Sequence, residues 1–221
     1  WPIGQPLGEM HDLAMSSRRI WQEVLVHSGI WHSKCGSLHL AYQEDEYSVL
    51  SEYHVLAGAG DHLRLLDAET ITALSPSVKP EGLIGGLFSG TEMCVDPRKV
   101  VDQLPAFLRS RYGVEFLFDT PVQQCTTGGV VALERLYRSN RIWICTGDNL
   151  TGLFPSVQSN LSLIPCKLQM MRTGRMDDVI PLGPMLAAGL TLTHYQCFRD
   201  CPSLRAVKQR VNTTMPSYVK Y

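Results

Sequence analysis

The sequence predicts an α/β fold with α+β character, and three observations carry that expectation. Apolar residues recur at spacings of three and four over 10–25 and over 100–108, the period of amphipathic helices. Short apolar runs, "VEFLF" at 114–118 and "RIWIC" at 141–145, have the length and composition of strands covered on both faces. A helix that feeds the first of these runs through Gly113 forms half of a crossover unit. The 221 residues are enough for one large domain or two small ones.

Each element follows from its own residues. Trp1–Gly4 reads as a turn. A helix follows, with Met10, Leu13, Ala14, Ser17, Trp21, Val24 and Leu25 as its expected buried stripe. Arg18, Arg19, Gln22 and Glu23 fall opposite, and Gly29 stops the helix in the left-handed position that follows many helices. "CGSLHLAYQ" alternates Ser37, His39 and Ala41 with Leu38, Leu40 and Tyr42, as a strand does. "EDEYSVLSEYHVLAGAG" is a helix with Leu50, Tyr53 and Ala57 on one face. "LRLLDAETITALSP" is a short strand and a short helix, begun by Asp67 as N-cap and ended by Pro76. "GLIGGLFSG" reads as a turn-rich strand pair.

In "VDPRKVVDQLPAFLRSRYG", Asp96 caps and Pro97 takes the first helical position, where its missing N–H costs nothing. Val100, Val101, Leu104, Phe107 and Leu108 form the apolar face, and Pro105 deletes one backbone bond. Gly128-Gly129 predicts a turn between strands at about 121–126 and 130–134. "RIWICTG" brings Gly147 to the carboxyl end of its strand, where ligands of open α/β sheets bind. "IPCKLQMMRT" and "MLAAGLTLTH" read as two further strands, and Ser203 to Val211 as a last helix.

Composition narrows the function classes. A formal net charge of −1 offers no electrostatic case for nucleic acid or an anionic membrane. No apolar run approaches the roughly 18 residues that cross a bilayer, and Trp1 onward lacks the pattern of a signal peptide. Seven scattered cysteines favour reduced thiols and a cytoplasmic location over a disulfide framework. Cys197 and Cys201 form one close pair, a weak metal signal without a second pair, and no metal is expected. No Gly-x-Gly-x-x-Gly or phosphate loop opens a helix, and no His-Glu-x-x-His or Gly-x-Ser-x-Gly is present.

The order of parts says more. "VDP" at 95–97, "GVEFLFDTPV" and "IWICTGDN" resemble the D-amino-acid-oxidase-like FAD-dependent oxidoreductases, the superfamily of glycine oxidase and sarcosine oxidase. "WPIGQPLGEMHDLAM", "GSLHLAY", "CKLQMMRT" and "GLTLTHY" are similar to a clade of it associated with aminophosphonate breakdown. The resemblance implies a partial FAD-binding Rossmann-like sheet, from 1–30 and 90–155, and an antiparallel substrate domain with flanking helices, from 31–89 and 156–221. It also implies an internal fragment, because the family's glycine fingerprint would lie upstream of Trp1 and its last flavin-binding segment downstream of Tyr221. A departure is Leu168, where the family has a glycine after the lysine.

Carried over residue by residue, the resemblance sets Trp1, Pro2, Ile3 and Gly4 near the isoalloxazine. It gives Val122 a backbone contact to adenine and sets Cys145, Thr146 and Gly147 beside the phosphates and ribityl chain. Lys167, Gln169 and Arg172, on one alternating face of a strand-like run if Arg172 follows a small irregularity, would meet the substrate's acid group, since Arg offers a planar fork and Lys a point charge. His39, His194 and Tyr195 would line the pocket. No protein nucleophile is implied, and no catalytic residue stands out. The resemblance implies that a bound flavin would take a hydride at N5 from a neutral small-molecule amine, leaving an imine that water hydrolyses. Three readings stay open: an amine or amino-acid oxidoreductase, a non-catalytic truncated domain that cannot hold FAD alone, and an unrelated α/β binding domain. The last predicts no sheet joining 114–118 to 141–146. The oligomeric state is not legible.

Overall fold

In chain order the elements are a 3-10 turn (Pro2–Gly4), α1 (Glu9–Ser28), β1 (His32–Ser33), β2 (Ser37–Ala41), α2 (Glu44–Leu56), β3 (Leu63–Asp67), α3 (Ala68–Leu74), β4 (Gly85–Ser89), β5 (Cys94–Val95) and α4 (Pro97–Tyr112). There follow β6 (Val122–Thr126), β7 (Gly129–Ala132), β8 (Arg135–Arg138), α5 (Pro155–Asn160), β9 (Met185–Ala187), 3-10 turns at Gly189–Thr193 and Gln196–Phe198, and α6 (Leu204–Thr214). The computed structural model describes residues 2–58, 62–147, 152–161, 167, 169–171 and 182–217. Mixed helix and sheet make this an α/β fold. The chain divides into two units, Trp1–Leu108 with Asp177–Tyr221, and Arg109–Met176.

The first unit is built on a four-stranded sheet of order β3-β4-β2-β9. β4 pairs antiparallel with both neighbours, and β9 runs parallel to β2 with Leu38 opposite Leu186. The alternation read in β2 is present, yet all five of its residues are buried, because both faces are covered. Ala41 and Leu87 join Ile3, Val49, Leu50, Tyr53, Phe198, Val207 and Val211 on one face. Leu38, Leu40, Leu66 and Ile71 join Val78 and Leu83 on the other. Each fully buried Leu or Ile of these layers contributes roughly 2 kcal/mol of transfer free energy.

"GLIGGLFSG" is one central strand, not a strand pair. A Cβ on Gly86 would lie 2.4 Å from the His39 carbonyl oxygen, and one on Gly85 would lie 2.6 Å from the Tyr47 ring. The glycines thus serve close packing across the sheet rather than turns. α3 starts as expected, with the Asp67 carboxylate accepting the Thr70 N–H at 2.8 Å. α6 buries Leu204, Val207 and Val211. Arg210 ties it to α2 by donating to the carboxylates of Asp45 and Glu46, each at 2.8 Å.

α1 ends at Gly29 with φ +69, as its sequence requires. Its stripe is less buried than expected. Leu25 is buried, Ala14, Trp21 and Val24 are half-buried, and Met10, Leu13 and Ser17 are exposed. Arg18, expected on the solvent side, turns inward and donates its Nε–H to the Thr91 carbonyl. "MLAAGLTLTH" holds only the three-residue β9 before the chain turns into a 3-10 helix, where Thr191 and Thr193 hydroxyls bond carbonyls three residues back.

The second unit carries a three-stranded antiparallel meander, β6-β7-β8. The predicted hairpin forms around Gly128-Gly129, and Gly129 is needed there: a Cβ would lie 2.1 Å from the Tyr137 carbonyl oxygen. β7 stops at Ala132, and Leu133-Glu134 turn with φ +49 and +59 into β8, a strand the sequence did not announce. Residues with φ > 0 are usually Gly, Asn or Asp, so this turn carries no recognisable chemistry.

The expected strands at 114–118 and 141–146 are not formed. In the first, the Phe116 and Phe118 rings stack 5.7 Å apart and the Arg109 guanidinium lies 5.8 Å from the Phe116 centroid. In the second, Trp143 is 78% exposed. Neither run has a ladder partner among the described residues, and an apolar run without a partner has no reason to adopt strand geometry. The residues 167 and 169–171 are likewise not in a strand.

Candidate functional site

Among the described residues of the first unit, the most organised polar group surrounds Glu92, three residues beyond the end of β4. Its side chain is fully buried. The Ile3 backbone N–H donates to Oε1 at 3.0 Å, the Thr91 hydroxyl donates to the same oxygen at 2.9 Å, and the Ser37 hydroxyl donates to Oε2 at 3.2 Å. Ser89 Oγ and Thr91 Oγ1 lie 3.0 Å apart. With the Thr91 proton committed to Glu92, Ser89 is the donor of that bond. The Glu92 carbonyl accepts the Gly36 N–H at 3.2 Å. Gly36 has φ +71, and a Cβ there would lie 2.6 Å from the Ser89 carbonyl oxygen, so only glycine fits.

The effect is to pin the Pro2–Gly4 turn. All three of its residues are buried, the Gln5 N–H donates to the Pro2 carbonyl at 3.0 Å, and Ile3 hangs on Glu92. A buried carboxylate with several donors is satisfied only in this one backbone arrangement, which makes the turn rigid.

Two cavities flank the turn. One, of about 240 Å³, is walled by Pro2, Gln5, Arg18, Trp21, Met93 and Val95 among others. The other, of about 150 Å³, is lined by Ile3, Tyr53, His62, Ser89 and Thr91 among others.

His39 is 1% exposed, with its ring edge-on to Phe198 at 5.6 Å, and Phe198 meets Tyr53 at 5.1 Å. Burial pushes the His39 pKa down to about 4, against an opposing pull from Glu92, so the imidazole is neutral at pH 7. Burial, then Cys197, Glu92 and Cys201, raise Tyr53 beyond its ordinary range. Cys197 is pushed up to about 12, by burial and then Cys201, and Cys201 to about 11, by burial and then Glu52 and Asp200. Both stay protonated core thiols, and among the described residues no cluster of His, Cys, Asp and Glu could hold a metal ion.

The structure anchors the Pro2–Gly4 turn on Glu92 through Ile3, and sets His39 within the electrostatic reach of the same carboxylate. His194 is exposed and Tyr195 half-buried, at the end of the Gly189–Thr193 turn. Val122 opens β6 in the second unit and is 38% exposed. Cys145, Thr146 and Gly147 are exposed, and Gly147 takes φ +63. Lys167 and Gln169 are exposed as well. Trp1 and Arg172 lie outside the described residues. Sequence reasoning missed Glu92, Ser37, Thr91 and Arg18. The available signal was a lone glutamate in "FSGTEMCV", a stretch otherwise of small and apolar residues.

The family model for FAD dependent oxidoreductases matches residues 2–196. The chain belongs to this family of FAD-dependent oxidoreductases. FAD is therefore the family's cofactor. Among solved structures, L-proline dehydrogenase from P. horikoshii is 17% identical with a TM-score of 0.63, over 86% of this chain and 53% of that one. Glycine oxidase from Bacillus cereus is 18% identical with a TM-score of 0.56, over 66% and 44%. Glycine oxidase from Geobacillus kaustophilus is 20% identical with a TM-score of 0.56, over 71% and 44%. This family member thus shares the fold of those enzymes and spans about half their length. No curated protein sequence matches it. Among the described residues, no helix is long and apolar enough to cross a membrane.

Proposed function

We propose that this family member takes part in FAD-dependent oxidation of the C–N bond of a small amine bearing an acid group, an aminophosphonate or an amino acid. The observation that carries the reading is the Glu92-pinned turn at Pro2–Gly4, which joins the family match to a rigid, buried piece of backbone beside a cavity. The residues present fit one wall of a flavin site. Trp21, Met93 and Val95 offer flat apolar contact, and Gln5 and Arg18 offer polar groups at its rim.

FAD, when bound, supplies the hydride acceptor. The chain's own residues supply position. Glu92 fixes Ile3 and so the turn, which the ring would meet without reorganisation of the backbone. His39, neutral at pH 7, would line the substrate pocket as an uncharged wall. Val122 and the backbone of Cys145, Thr146 and Gly147 would hold the adenosine and phosphate parts. Lys167, Gln169 and Arg172 would meet the substrate's acid group, with His194 and Tyr195 nearer the amine end. Under this reading the functional division is 1–30 with 90–155 for FAD and 31–89 with 156–221 for substrate.

The test is anaerobic titration of the purified, FAD-supplemented protein with glycine, proline, 2-aminoethylphosphonate and ethylamine. Bleaching of the visible flavin band by an acid-bearing amine, but not by ethylamine, is expected. Equal bleaching by ethylamine would overturn the acid-group assignment. A protein that takes up no FAD would favour a domain without catalysis.

A further inference from the structure

The first unit holds a pair of cysteines that neither the cofactor nor the substrate reading uses. Cys35 lies in the link between β1 and β2, and Cys94 begins β5. The two chain segments are held together on both sides of the pair. Ser33 is the register partner of Cys94, and the Gly36 N–H donates to the Glu92 carbonyl at 3.2 Å. Cys35 follows Ser33 by two residues in that link, and its side chain lies within hydrogen-bond reach of the Cys94 side chain. Both side chains are half-buried, unlike Cys197 and Cys201 in the core. The thiols already act on each other: burial, then Cys35, holds Cys94 above its ordinary value.

We propose that Cys35 and Cys94 are a thiol-disulfide modification site, closed by a low-molecular-weight disulfide such as oxidised glutathione. The Cys35 thiolate attacks one sulfur of the glutathione disulfide, forms a mixed disulfide and releases one glutathione thiolate, which takes up the proton Cys35 gave to solvent. Cys94 then attacks the Cys35 sulfur, the new S–S bond forms, the mixed S–S bond breaks, and the second glutathione leaves with the Cys94 proton. Two protein thiols are oxidised and one glutathione disulfide is reduced to two thiols. The bond would fasten the 33–37 segment to 92–95. Its consequence falls on Glu92, whose backbone and side chain both anchor there and hold the Pro2–Gly4 turn.

The experiment is incubation of the whole protein with oxidised glutathione, alkylation of the remaining thiols, and peptide mapping without reduction. A linked Cys35–Cys94 peptide lighter by two hydrogens, with Cys197 and Cys201 alkylated after denaturation, is expected. In Cys94→Ser the mixed glutathione adduct should stay on Cys35. Wild-type protein that keeps glutathione on either cysteine, or that links them only between molecules, would overturn the proposal. As a second measurement, the oxidised wild type should melt at a higher temperature than the reduced one, with no such difference in the Cys35→Ser, Cys94→Ser double variant. An equal shift in that variant would also overturn it.

Discussion

"SLHLA" at 37–41 and "RIWICT" at 141–146 are the same kind of sequence, and they end up in opposite situations. The first is a strand with every residue buried, between β4 and β9, with an apolar layer on each face. The second is irregular, with Trp143 and Ile144 exposed. The difference lies in their partners. β2 has a neighbour on each edge to take its N–H and C=O groups and helices to cover its faces. The described residues offer 141–146 neither. An apolar run states a capacity for strand, and the ladder beside it decides whether the capacity is used.

If that contrast holds, substitutions should cost much in the first unit and little in the second, as read by urea unfolding. Phe198→Ala removes the ring that packs His39 and Tyr53 together at a fully buried position, and should cost about 4 kcal/mol. Glu92→Ala strands the Ile3 N–H and the Ser37 and Thr91 hydroxyls, and should cost roughly 3 kcal/mol. Glu92→Gln keeps an acceptor oxygen and should cost less.

Acid should act on the same layer. The folded state holds His39 at about 4, below its value of 6.5 in the unfolded chain, so between those values the unfolded state binds the extra proton. Stability is therefore fully present above pH 6.5 and is lost as pH falls towards 4, by about 3 kcal/mol in all. A His39→Phe variant should lose that part of the slope; an unchanged slope would remove His39 from the account. Arg210→Ala unties α6 from Asp45 and Glu46 and should cost about 2 kcal/mol, less than a fully buried pair because the guanidinium is partly exposed. Trp143→Ser, on the other side of the comparison, should change stability by no more than about 0.5 kcal/mol. A cost near that of Phe198→Ala would break the contrast.

The legible parts of the fold were those with local causes. Asp67, Asp96 with Pro97, and Gly29 mark helix ends through bonds within a few residues, and the helices lie where those residues set them. The parts that failed depend on distant partners. Gly85-Gly86 looked like a turn because the sequence does not show Tyr47 and His39 pressing on a strand. Leu133-Glu134 hid a hairpin because its left-handed residues are not glycines. At the candidate site, family resemblance points to Pro2–Gly4 as a proposal. Glu92, 89 residues away from Ile3, could not be picked out, since nothing local says which backbone a lone glutamate will hold.

The claim that the pinned turn faces the cofactor is tested most directly by amide hydrogen exchange with and without FAD. The account predicts slower exchange, on adding FAD, in the peptides carrying residues 2–5 and 145–147, with the first effect reduced in Glu92→Ala. FAD that binds and protects neither peptide would contradict it.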